Sequence, residues 1–270
     1  MSIVYINPYQ FAAFDPDALT YINAVETADG QALETGVRIA INDFVLGCKQ
    51  DGIWNAIKAS CIMAGARTLS GALVPLTGGA PTNNNFVSAD YDRETGLVGD
   101  GSTKYLDSNR SNNADPQNSK HLAVYFFQAP TSGPGAGSPI GYPCYLGSGY
   151  TAGDSLMQRQ PTNSTTMAFK SNDSVETAIA NAVANTGFIG TSRSSSANYT
   201  IRVKQSDTTA STTSTTPQSR TIEVFRQNQA GNGTYNNGRL SFYSIGESLD
   251  LAALDTRVSN LMTAIGAAIP

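Results

Sequence analysis

From residue 61 to about residue 245 the chain is a train of strand-length segments, each closed by glycine, asparagine, serine or proline. That rhythm restricts the fold more than any other feature of the sequence. The segments read as strands are 86–88, 95–98, 104–106, 121–128, 165–170, 187–192, 199–204, 221–226 and 238–245. Many short strands joined by glycine-rich turns predict an antiparallel sandwich or jelly roll. Residues 129–154, rich in glycine and proline, read as a loop. Residues 205–219, QSDTTASTTSTTPQS, read either as disorder or, because threonine favours extended backbone, as a hydrated hairpin.

Helical periodicity is confined to the two ends. Leu33, Val37, Ala40, Ile41, Phe44 and Val45 recur at three- and four-residue spacing, and a second short helix containing Trp54 and Ile57 is expected after Gly52. Residues 1–30 read as irregular, with Pro8 and Pro16 as helix breakers and Tyr5, Tyr9, Phe11 and Phe14 as sticky aromatics. These rings either dock on a partner or pack on their own domain. Leu251, Leu254, Val258, Leu261, Met262 and Ile265 form the stripe of a closing amphipathic helix, capped by Asp250 or Ser248. The expected division is 1–60, a leader and helical attachment segment, and 61–270, a jelly roll with its closing helix.

Charged residues are only 14% of the chain, so Ser, Thr, Asn, Gln and Gly must supply its polar surface. The net charge is −4 and no basic run exists, which argues against a nucleic-acid partner. The N-terminus lacks a signal-peptide pattern, and no apolar window is long enough to predict a membrane span. Cys48, Cys61 and Cys144 are odd in number and scattered, so they read as reduced core thiols.

Little in the sequence supports catalysis. The single histidine, His121, opens an apolar strand, and three scattered cysteines give no metal-ligand pairing. Glycoside hydrolysis on a jelly roll needs carboxylates spaced along one strand, and Glu94, Glu176, Glu223 and Glu247 stand apart. No catalytic residue, cofactor or metal ligand is therefore assigned. Asp90, Asp92, Glu94 and Asp100 form the densest acidic cluster, either a rim for a hard cation or a solvated turn beside Arg93. Tyr142, Tyr145 and Tyr150 in the glycine-rich loop are the candidate glycan or partner contacts. The alternative is that these rings pack down to stabilise the loop.

GLVGDGSTKYLDSN (96–109), HLAVYFFQAP (121–130), GFIGTSRSSSANYTIRV (187–203) and the closing GRLSFYSIGESLDLAALDTRVSNLMTAI (238–265) resemble the strands of laminin-G-like, concanavalin-A-like jelly rolls. Together with IAINDFVLGCKQDGIWNAIKASCIMAGARTLSGALVPL, they are also similar to bacteriophage proteins, especially those of cyanophages. That resemblance implies a non-enzymatic virion structural protein, assembled in the host cytoplasm and exposed on the particle. A tail fibre, spike or baseplate appendage with host-surface polysaccharide binding is the first expectation. A capsid decoration protein is the second, and a glycan-acting enzyme the third. The implied partners are other virion proteins, with attachment through Phe11, Phe14, Phe44 and Trp54 and self-association, guessed as a trimer.

Overall fold

The computed structural model describes residues 14–131, 142–160, 165–182, 186–229 and 233–270. Two antiparallel sheets stack face to face. The first, sheet A, has the order β13-β12-β11-β6-β15-β4-β3, with β1 also on β15. Its strands are β1 (Ile57–Ile62), β3 (Tyr91–Asp92), β4 (Gly96–Val98), β6 (Lys120–Gln128), β11 (Gly187–Arg193), β12 (Tyr199–Val203), β13 (Ser206–Ala210) and β15 (Arg239–Gly246). Sheet B has the order β10-β9-β8-β7-β14-β5-β2. It contains β2 (Thr82–Asn84), β5 (Tyr105–Ser111), β7 (Cys144–Gly147), β8 (Asp154–Arg159), β9 (Met167–Asp173), β10 (Thr177–Ile179) and β14 (Thr221–Val224). This is the mainly β jelly-roll sandwich that the strand rhythm predicts, with its few helices including one at the C-terminus.

Alternation along the strands fixes the core. Leu122, Val124 and Phe126 of β6 face Tyr145, Met157, Phe169, Ile222 and Val224 of sheet B, all fully buried. The opposite face of sheet A, with Ala123, Phe188 and Phe242, carries the helices α1 (Pro16–Asp29), α2 (Thr35–Gln50) and α4 (Leu251–Ala268). The α4 stripe is buried as expected, and Asp250 is its cap, accepting from the Ala252 and Ala253 amides. A single turn, α3 (Leu69–Ala72), packs near α1.

Several local expectations are corrected. Pro16 does not break a helix: it occupies the first turn of α1, where a missing N–H removes no bond and the fixed φ suits the helix. The second helix expected around Trp54 is only a 3-10 turn, Trp54–Ala56, and Ile57 opens β1. The 129–154 stretch includes β7 and the start of β8, whereas the threonine-rich stretch takes the hairpin alternative, its edge strand β13 pairing antiparallel with β12. Residues 86–88 are not a strand; β2 lies just before them.

Candidate functional site on the outer face of sheet B

Helices cover the outer face of sheet A, and among the described residues none covers the outer side of sheet B. Cross-strand register sets a row of residues across its outer side: Asp107, Glu223, Gly147, Leu156 and Lys170. Each lies next in sequence to a core-facing residue, so the pleat turns it outward.

At the β8–β9 end, the loop joining β7 to β8 presents Tyr150. Asp154, fully buried, organises that loop: its Oδ2 accepts from the Thr151 amide and hydroxyl, each at 2.8 Å, and its Oδ1 accepts from the Ser148 hydroxyl at 3.0 Å. Arg220 adds an ion pair at 3.2 Å. Gly153, at φ 81°, closes the turn where a Cβ would lie 2.0 Å from the Thr216 carbonyl oxygen, so no other residue fits.

The loop leaves Tyr150 38% exposed. Its hydroxyl donates to Glu176 Oε2 at 3.0 Å. The Lys170 ammonium sits 5.4 Å from the ring centroid and donates to the Tyr150 and Thr151 carbonyls at 3.2 and 2.9 Å. Gln158 and Gln160 bring their side-chain amides to the same Glu176 carboxylate, at 3.5 and 3.2 Å. Gln158 Oε1 is buried with no hydrogen-bond partner. Burial and the adjacent Glu176 charge push the Tyr150 phenol up to about 12, so it stays a donor at neutral pH. Tyr142, half-buried, is close enough to raise it further.

Tyr142 is half-buried just before β7 and Tyr150 stands in the loop after it, whereas Tyr145 points away from both. Tyr145 follows Cys144 on β7, so the pleat turns it into the core against Phe126, with ring centroids 5.4 Å apart. Gln158, Gln160, Lys170 and Glu176 carry no motif. The outward parity of Lys170 was readable from the alternation MAFK, but its meeting with residue 150 follows only from strand pairing.

A second cluster lies at the β14–β5 end. Glu223, its side chain 5% exposed, is the register partner of Asp107 and pairs with Arg226 at 3.1 Å. The Arg226 guanidinium lies between the rings of Tyr105 and Tyr235, 4.7 and 5.1 Å from their centroids. These carboxylates sit on neighbouring strands, a juxtaposition that a search along single strands misses.

The acidic cluster of the sequence serves turns. Asp92 accepts from the Glu94 and Thr95 amides, Asp100 from those of Ser102, Thr103 and Lys104, and Asp90 pairs with Lys104 at 2.5 Å. Among the described residues no three potential metal ligands converge. His121 is fully buried, with its ring nitrogens against the Glu247 carbonyl and the Ser244 hydroxyl at 2.6 and 2.7 Å. Of the expected attachment residues, Phe44 is core, 5.8 Å from Phe242. Phe14 and Trp54 are partly buried on the helical layer, and Phe11 lies outside the described residues. Among the described residues no helix is long and apolar enough to cross a membrane.

No family model matches the chain, and no curated protein does. Solved structures do. A Trypanosoma rangeli sialidase mutant displaying trans-sialidase activity is 10% identical, with a TM-score of 0.48, over 84% of this chain and 39% of its own. The binding domain of botulinum neurotoxin serotype D is 8% identical, with a TM-score of 0.49, over 76% of this chain and 50% of its own. Mouse laminin alpha1 domains LG4-5 are 12% identical, with a TM-score of 0.37, over 66% of this chain and 47% of theirs. The chain thus spans half or less of these proteins. At such identities the likeness concerns the fold alone. The expected role as a bacteriophage tail or head protein is overturned: the matched folds belong to sialidases, a toxin binding domain and a laminin. Enzymes and binding domains both stand among them.

Proposed function

We propose that this protein is a glycan-binding β-sandwich whose site is the outer face of sheet B around Tyr150. The observation that carries the reading is the grouping of a part-exposed aromatic ring with the Glu176 carboxylate and two glutamine amides. A pyranose presents one apolar face and a fringe of hydroxyls that both donate and accept. An aromatic surface beside fixed carboxylate and amide groups matches both properties. The buried, unpartnered Gln158 Oε1 adds an acceptor that an incoming hydroxyl would satisfy.

A glycan array followed by calorimetry on the best oligosaccharide tests the reading. Tyr150→Ala and Glu176→Gln should each weaken binding about tenfold or more, since a hydrogen bond to a charged group contributes roughly 1.5–3 kcal/mol. The bound sugar should be recovered intact by mass spectrometry, as expected of a binding module. Cleaved sugar would place the protein among enzymes, and an empty array with folded protein would remove the glycan reading.

A further inference from the structure

Glu223 stands beside Asp107 in the outer row of sheet B, within a cluster that the Tyr150 site does not use. Tyr105 and Asp107 face it from β5, Cys144 from β7, and Arg226 with Tyr235 from the residues after β14. Asp107 is held in place beside it, its Oδ2 accepting from the Thr221 hydroxyl at 3.0 Å. Arg226 is the cation that pairs with Glu223. One of its nitrogens serves both carboxylate oxygens of Glu223, at 3.2 and 3.1 Å, yet Oε2 receives no directed hydrogen bond. The Arg226 Nε is also without a partner.

The same guanidinium joins the chain after β14 to the sheet. It lies between Tyr105, which belongs to β5, and Tyr235, which bridges back to Arg226. Around it the Asn228 amide donates to the Gly147 carbonyl, the Gln227 amide to that of Thr234, and the Asn236 amide to that of Phe225. We infer that Glu223, Asp107 and Arg226 form a proton-titrated junction, which holds residues 226–228 and 234–236 against sheet B while Glu223 is protonated and loosens them when the proton leaves.

The direction follows from the balance of forces on the carboxylate. Burial, and then repulsion by Asp107, outweigh Arg226 and raise Glu223 from 4.5 to about 7. A hydrated Glu223 in an opened junction would ionise near its ordinary value. Proton loss therefore favours opening, progressively from about pH 4.5 to about pH 7. The neighbouring Tyr105 is raised from its ordinary value by burial and by the Glu223 charge, and Cys144 by burial first. Neither loses its proton in that window.

Hydrogen exchange on the whole chain, corrected for the intrinsic pH dependence of amide exchange, reads the junction directly. The amides of Gln227, Asn228 and Asn236 should open about twentyfold more readily at about pH 8 than at about pH 5.5. Glu223→Gln should abolish that dependence while the core amides of β6 keep their protection. Asp107→Asn, which removes only the repulsion, should shift its midpoint to lower pH. A flat wild-type profile would overturn the inference, as would an undiminished pH dependence in Glu223→Gln. These readouts need no sugar, so they stand or fall separately from the glycan site.

Discussion

Asp154 shows how one buried residue sets the geometry of the candidate site without touching a ligand. It receives hydrogen bonds from Ser148 and Thr151 and an ion pair from Arg220, and all of them converge on the loop that presents Tyr150. Asp154→Ala would remove the acceptor shared by the buried Ser148 hydroxyl and by the Thr151 amide and hydroxyl, at a cost of about 2 kcal/mol. We expect urea denaturation to show that loss, and calorimetry to show weakened glycan binding although Tyr150 is intact. A loss under about 1 kcal/mol would mean that the loop is held by other contacts. At this scale the sequence was partly legible. Tyr142 and Tyr150 were readable as candidates because aromatics in a glycine-rich loop are conspicuous. That Tyr145 points the other way depends on its place in β7, whose residues are all buried and so show no alternation.

The α4 stripe was legible because solvent on one side forces the helical period. The strand 121–128, buried along nearly its whole length, was legible instead from its length and its enrichment in branched and aromatic residues. β1 is the counter-example: five of its six residues, Ile57–Ile62, are buried between the helical layer and the sandwich core, and a short apolar run of that kind is as compatible with helix as with strand. α1 was hidden for a different reason, a proline read as a breaker that in fact opens the helix. Capping gives a prediction at this scale. Asp250 accepts from two amides at the start of α4, at 2.8 and 3.1 Å. Asp250→Ala should cost about 1 kcal/mol. Because α4 packs on α2 and on sheet A, the loss should appear as a lower midpoint of the whole unfolding transition with an unchanged denaturant slope. A local fraying of α4 alone, with the global midpoint unmoved, would contradict that coupling.

Across the whole molecule, two buried groups at separate places make stability respond to pH with opposite signs. Burial lowers His121 from 6.5 to about 4, so the unfolded chain takes up a proton that the folded one refuses, and stability falls as pH drops from about 6.5 to about 4. Glu223 is raised from 4.5 to about 7, so the folded chain holds the proton longer, and stability falls as pH rises through that range. Between about pH 4.5 and about pH 6.5 the two slopes oppose each other, and wild-type stability from these groups is nearly level. Asp173, raised by burial, acts with the sign of Glu223 from its ordinary value upward. Glu223→Gln should therefore uncover the histidine: unfolding free energy would rise with pH across that window, by at most about 1.4 kcal/mol per pH unit. His121→Gln should uncover the carboxylate and reverse the slope, whatever its effect on absolute stability. Urea titrations at a series of pH values measure both slopes. Two variants with the same profile as the wild type would mean that neither group titrates differently on folding, and that their burial is relieved by local opening before either one ionises.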